Sequence, residues 1–136
     1  MSVTLSCQKQ ILKGEIHLTS SKSESNRALI VQALCKDSFD VENLSISNDT
    51  VVLKQLLGSS EKELSVNLAG TAMRFLTAYL SIQGNEVVLT GAQRMKERPI
   101  KVLVDVLGQL GADISYEGNE GYPPLKIIGK ELQGGK

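Results

Sequence analysis

The sequence predicts an α+β fold, α/β-like in its alternation, with helices packed on one side of a sheet, and three observations carry that expectation. Segments with the two-residue period of strands alternate with segments of helical period. Small polar turns rich in Ser, Gly and Asn separate them. The last two strand-like stretches, residues 113–116 and 125–128, are joined by a Gly- and Pro-containing turn that suits a closing hairpin.

Taken in order, residues 11–18 put Leu12, Ile16 and Leu18 on one face and Lys13, Glu15 and His17 on the other, the pattern of a half-buried strand. His17 reads as an ordinary strand residue. A Ser-rich turn follows, and residues 23–36 read as a largely buried helix with Ser21 or Ser23 as N-cap. Residues 41–46 form a second strand candidate. Ser47, Asn48 and Asp49 then offer cap residues and negative charge for a short helix through Leu57, which Gly58 can end.

The alternation then repeats. Residues 64–68 read as a short strand, 70–82 as a helix, 86–90 as a strand and 98–110 as a helix whose first turn holds Pro99, where a missing amide hydrogen costs nothing. In that last helix Ile100, Leu103, Val104, Leu107 and Leu110 keep one apolar face, and Gly108 and Gly111 mark its end. Tyr122-Pro123-Pro124 reads as turn chemistry.

Composition narrows the function. The chain has 136 residues, 41% hydrophobic and 22% charged, enough for one globular domain with a sizeable core. Lys plus Arg equals Asp plus Glu, 15 of each, so no overall basic field drives binding to nucleic acid or to an acidic membrane surface. Aromatics are 4% with no Trp, which argues against a base-stacking platform. Cys7 and Cys35 stand apart without a CxxC pair or a His cluster, so no zinc site or disulfide framework is signalled and reduced, partly buried thiols are expected. The N-terminus lacks a basic segment followed by an apolar one, and nowhere do 18 apolar residues run together, which fits a cytoplasmic protein.

Any anion affinity is therefore local, and the arginines say where. Eleven lysines are scattered, but Arg27, Arg74, Arg94 and Arg98 all sit in three short blocks. Guanidinium grips phosphate and carboxylate in a fixed fork. Arg27 and Arg74 each follow a small polar turn within the first two turns of an expected helix, a weak internal repeat. At such a junction unpaired amide hydrogens and the positive end of the helix dipole both favour a phosphate. Each block also has a plainer reading: a capping turn with a solvated Lys22, a packing Gly70 beside Thr71 with a surface Arg74, and a solvated charged loop at residues 94–98. Their joint occurrence points to a receptor for small polyanionic metabolites.

Four blocks make the resemblance specific: Ser21-Lys22-Ser23-Glu24-Ser25-Asn26-Arg27-Ala28-Leu29, Ala69-Gly70-Thr71-Ala72-Met73-Arg74, residues 89–100 from Leu89-Thr90-Gly91 to Arg98-Pro99-Ile100, and Tyr122-Pro123-Pro124-Leu125. In this order they resemble the 5-enolpyruvylshikimate-3-phosphate synthases over essentially the whole chain. The resemblance implies transfer of the enolpyruvyl group from phosphoenolpyruvate to the 5-hydroxyl of shikimate 3-phosphate, a step of the shikimate pathway toward chorismate and the aromatic amino acids, with no metal or organic cofactor.

Carried over residue by residue, the family pattern makes Lys22 a contact for both substrates and an electrostatic aid to catalysis. It assigns Ser23 and Arg27 to shikimate 3-phosphate and Gly70 and Arg98 to phosphoenolpyruvate, with Thr71, Arg74 and Arg94 in support. It implies βαβαββ units arranged as two globes. Residues 1–19 would begin on the second globe or the crossover, and residues 20–136 would form an incomplete N-terminal substrate-binding globe, whose further partner is the remainder of its own chain in a complete monomer. Leu68 stands where many members have Asn, and Phe75 where Pro is frequent. The acidic residues of proton transfer and the arginines of the second globe come later in the family pattern, so this chain alone is expected to turn over little. A non-catalytic anion-binding module and the related UDP-N-acetylglucosamine enolpyruvyl transferase are the alternatives.

Overall fold

A computed structural model describes residues 2–8, 11, 13–37 and 39–133. Five helices and four strands follow one another as α1 (Lys22–Leu34), α2 (Asn48–Leu57), β1 (Glu63–Ser65), α3 (Gly70–Leu80), β2 (Glu86–Thr90), α4 (Gln93–Lys96), α5 (Lys101–Gln109), β3 (Asp113–Tyr116) and β4 (Leu125–Ile128). The mixed sheet has the order β1-β2-β4-β3. β1 and β2 run parallel, with Leu64 opposite Leu89, and α3 makes the crossover that a parallel pair requires. β4 pairs antiparallel with both β2 and β3, closing the expected hairpin.

Alternation and helical period explain where the core sits. α3 buries Ala72, Met73, Leu76, Thr77 and Leu80, a stripe at helical spacing turned toward the sheet and α2. Leu53, Leu64, Val66, Leu76, Leu89 and Ile127 have no more than 1% of their surface exposed, and burying a side chain of this size contributes about 2 kcal/mol. Thr77 and Ser81 are equally buried, but each hydroxyl donates to the carbonyl one turn back, Met73 at 2.8 Å and Thr77 at 2.7 Å, so neither is left unpaired.

Several boundaries differ from the expectation, each for a tertiary reason. No strand forms at residues 41–46: Ser25 Oγ takes the amide hydrogen of Ser45 at 2.9 Å and Ser20 Oγ donates to the Asn43 carbonyl, so this segment is strapped to the α1 region and pairs with no strand. Of the expected strand at residues 11–18, Leu12 lies outside the described residues; Ile11, Ile16 and Leu18 are exposed and unpaired with any strand, since no sheet edge lies against them among the described residues. β1 stops at Ser65 because Asn67 adopts a left-handed conformation, φ 50°, that turns the chain toward α3.

Helix α1 is not largely buried. It buries Ser25, Asn26 and Leu29 against its neighbours, while Val31 and Leu34 stay half exposed on the side facing α3. Cys35, at its C-cap, and Cys7 are exposed rather than partly buried. Helix α5 begins at Lys101 with Ile100 as N-cap, so Pro99 lies before the helix and not in its first turn. The Pro99 carbonyl and the Ile100 amide are instead held by tertiary hydrogen bonds described below. Gly111, at φ 95°, ends α5: the Gly111 amide donates to Gly108 and that of Ala112 to Leu107, both at 2.9 Å, which satisfies two terminal carbonyls.

Candidate anion-binding site

The starts of three helices meet at one end of the molecule. Asn26, in the second turn of α1, accepts at Oδ1 from the Thr50 hydroxyl at 2.8 Å, and Thr50 lies in the first turn of α2. Next to it Asp49 Oδ1 accepts the backbone N–H of Thr71, in the first turn of α3, at 3.2 Å. Three positive dipole ends are thereby gathered, with Asp49 between two of them and Glu24 in the first turn of α1.

Two of these starts keep donors in hand. Ser21 caps α1 through the Glu24 amide at 3.4 Å, leaving the N–H groups of Lys22 and Ser23 without an acceptor among the described residues; both side chains are exposed. Ala69 cannot cap α3 with its methyl group, so the Gly70 amide is likewise unclaimed. Thr71, by contrast, spends its amide on Asp49.

The charge comes from the segment after β2. Both this segment and the start of α3 leave the C-terminal ends of the parallel strands β1 and β2, and they pack tightly. Ala92 donates to the Asn67 carbonyl at 3.0 Å, and a Cβ on Gly91 would come within 2.8 Å of that oxygen and of the buried Met95. Residues 93–96, which the sequence leaves inside a charged run, form the short helix α4 around Met95. Its end delivers Arg98 onto α3: a Cβ on Gly70 would sit 2.8 Å from Cζ and 2.9 Å from Nη2 of Arg98. Only glycine admits the guanidinium there.

Arg74, one turn after Gly70, donates from Nη2 to the Pro99 carbonyl at 3.1 Å. Arg74, Arg94 and Arg98 together with Leu68, Glu97 and Pro99 line an open cleft of about 710 Å³. Arg94 is paired to Glu97 at 3.1 Å, whereas Arg74 and Arg98 form no ion pair among the described residues. Three guanidiniums therefore face one carboxylate. Such a cleft attracts a small multiply charged anion, and the fork geometry of guanidinium suits phosphate and carboxylate alike.

The predicted site residues thus fall into groups. Gly70, Arg74, Arg94 and Arg98 converge; Thr71 lies beside Gly70 with its amide engaged. Lys22 and Ser23 stand at the start of α1, linked to the start of α3 through Thr50 and Asp49. Arg27 lines a different concavity, an apolar groove of about 430 Å³ between α1 and α3 with Ile30, Val31, Leu34, Phe75 and Tyr79. Asp49 escaped the sequence reading as a site residue, because a carboxylate at a helix start looks like a cap for its own helix and nothing local shows that it serves another.

Outside the cleft, Lys101 Nζ sits 2.9 Å from Glu120 and 3.2 Å from Asp105, and these two hydrogen-bonded carboxylates, Glu120 foremost, raise the lysine above its ordinary range. Burial pushes the Tyr116 hydroxyl up, and the Glu86 carboxylate 3.0 Å from Lys126 does the same for that amine. Among the described residues no cluster of three His, Cys, Asp or Glu could hold a metal, and no helix is long and apolar enough to cross a membrane.

Known proteins resemble this chain in both sequence and fold. Residues 51–136 match the family model of EPSP synthase (3-phosphoshikimate 1-carboxyvinyltransferase). The chain belongs to the EPSP synthase family. It is 49% identical over 134 residues to the 3-phosphoshikimate 1-carboxyvinyltransferase of Bacteroides fragilis strain YCH46, covering 98% of this chain and 32% of that protein. The enzyme of the same name from Photobacterium profundum is 45% identical over 161 residues, covering 99% and 37%. The structure of an EPSP synthase from Acinetobacter baumannii superposes with a TM-score of 0.79 at 24% identity, over 89% of this chain and 33% of that one. This EPSP synthase family chain thus spans about a third of the length of the relatives it matches.

Proposed function

We propose that this chain is the N-terminal portion of an EPSP synthase, incomplete as a substrate-binding globe over residues 20–136, with residues 1–19 belonging to the second globe or the crossover, and that it works in the cytoplasm. The reaction transfers the enolpyruvyl group from phosphoenolpyruvate to the 5-hydroxyl of shikimate 3-phosphate and releases phosphate. The observation that carries the reading is the Arg98 guanidinium resting on Gly70 at the uncapped start of α3, in a cleft with three arginines and one carboxylate.

Joining two phosphorylated carboxylic acids demands that their mutual repulsion be offset before any bond forms. Arg98 and the Gly70 amide hold phosphoenolpyruvate; Ser23 holds shikimate 3-phosphate and Lys22 reaches both, while Arg27, which the family pattern also assigns to shikimate 3-phosphate, lines the apolar groove between α1 and α3 and must turn its guanidinium out of it to join them. The 5-hydroxyl attacks C2 of phosphoenolpyruvate as C3 gains a proton, giving a tetrahedral intermediate. Phosphate then leaves with C–O cleavage and C3 returns a proton. Lys22 stabilises the charge that develops at the intermediate, while the remaining acid–base groups come from beyond this third of the relatives' length. The partners are these two small molecules and the remainder of the chain.

Titration of the 136-residue chain with each substrate, followed by nuclear magnetic resonance, tests the assignment. Arg98→Ala abolishes phosphoenolpyruvate binding, Lys22→Ala weakens both ligands, and Lys62→Ala changes neither. Equal effects in all three variants, or no binding by the wild-type chain, overturn it.

A further inference from the structure

We infer that Arg74 is a positioning residue for Arg98, fixing the Pro99–Ile100 peptide unit one residue beyond it, and does not itself grip the ligand; the ligand named below rests on the proposed function. The peptide between Pro99 and Ile100 is held at both ends: its carbonyl accepts from Arg74 Nη2 at 3.1 Å and its N–H donates to the Gly121 carbonyl at 2.8 Å. Proline fixes φ at position 99, so the orientation of this plane passes back to Arg98 through two ψ angles alone. On the other side the Arg98 amide donates to Met95 at 3.0 Å, and Met95 is buried.

Gly70 and Arg74 are one helical turn apart and share a face of α3. That face therefore meets the Arg98–Pro99 pair twice, under the guanidinium at Gly70 and at the carbonyl through Arg74. Two like charges in one cleft repel, and the Pro99 carbonyl gives the Arg74 guanidinium a neutral acceptor that anchors it while leaving Arg98 unpaired for an anion. Without Arg74, the plane keeps only its Gly121 bond and can swing, and the Arg98 side chain loses its seat.

Nuclear magnetic resonance of the unliganded chain tests this through two signals that need no ligand, the order parameter of the Arg98 Nε–H and the exchange rate of the Ile100 amide. Arg74→Ala lowers the first and speeds the second about tenfold, which corresponds to about 1.4 kcal/mol. Arg74→Lys, which can still donate to the Pro99 carbonyl, restores most of both. Phosphoenolpyruvate affinity follows the same ranking. Unchanged Arg98 order in Arg74→Ala overturns the inference, including the case in which affinity falls, since that outcome makes Arg74 a direct ligand. If no variant binds phosphoenolpyruvate and yet Arg98 loses order in Arg74→Ala, the functional reading fails and the positioning role stands.

Discussion

The Arg98 guanidinium occupies the space that a side chain on Gly70 would need. A cation and a free amide are thereby brought to one helix start. Gly70→Ala separates binding from stability. Alanine suits the first turn of a helix better than glycine, by up to about 1 kcal/mol, so folding is little harmed, but the new methyl group displaces Arg98. The expected outcome is loss of phosphoenolpyruvate binding by at least about tenfold, or about 1.4 kcal/mol, with a thermal midpoint near that of the wild type. Retained affinity in this variant would show that Arg98 does not need its seat on α3.

Asp49 ties α2 to α3 through the Thr71 amide at 3.2 Å, a capping bond supplied from 22 residues away. Replacing a capping side chain with alanine costs about 1 kcal/mol, and Asn retains an acceptor oxygen without the charge. Asp49→Ala should therefore lower the urea midpoint and speed hydrogen exchange in the first turn of α3, and Asp49→Asn should do so less. Equal losses in the two variants would mean that the charge, not the hydrogen bond, is what matters.

Lys101 provides the pH test. Its two carboxylate partners raise its pKa in the folded protein, so the stabilisation is complete below the ordinary lysine value of about 10.4 and is lost as pH climbs beyond it. The group is exposed, so the effect is modest and screened by salt. Comparing chemical denaturation of the wild type and Lys101→Met should show the wild type more stable near neutral pH and the gap closing in strong alkali. A gap that widens as pH rises would reverse the sign and reject the pairing.

How much of this was legible in advance depends on how far away the deciding partner lies. Helix α3, strand β2 and the closing hairpin follow from local period and turn residues, and the structure has them where expected to within a few residues. The start of α5 was misplaced because Pro99 and Ile100 are claimed by Arg74 and Gly121, 25 and 21 residues distant. Residues 41–46 have the composition of a strand, yet the Ser45 amide and the Asn43 carbonyl serve side chains of the α1 region. The convergence of Gly70 with Arg94 and Arg98 is tertiary. Sequence spacing marked the residues as anion-binding types, and the parallel pairing of β1 with β2 is what brings their two loops together. Arg27 lining the apolar groove is equally a matter of helix packing, invisible in its own block.

Two glycines three residues apart in and after α5 should respond oppositely to the same substitution. Gly108 lies inside the helix, and a Cβ there would meet nothing within 4 Å, so Gly108→Ala removes backbone entropy from the unfolded chain and should stabilise by about 0.5–1 kcal/mol. Gly111 holds φ 95°, where a Cβ strains against its own backbone, and the pair of bonds to Gly108 and Leu107 depends on that turn. Gly111→Ala should destabilise by about 1 kcal/mol or more. Thermal denaturation of the two variants and their double mutant gives the answer: both shifts in the same direction would contradict the helix end described here, whereas opposite shifts that nearly cancel in the double mutant would support it, provided the terminal turn keeps its bonds when Gly108 is replaced.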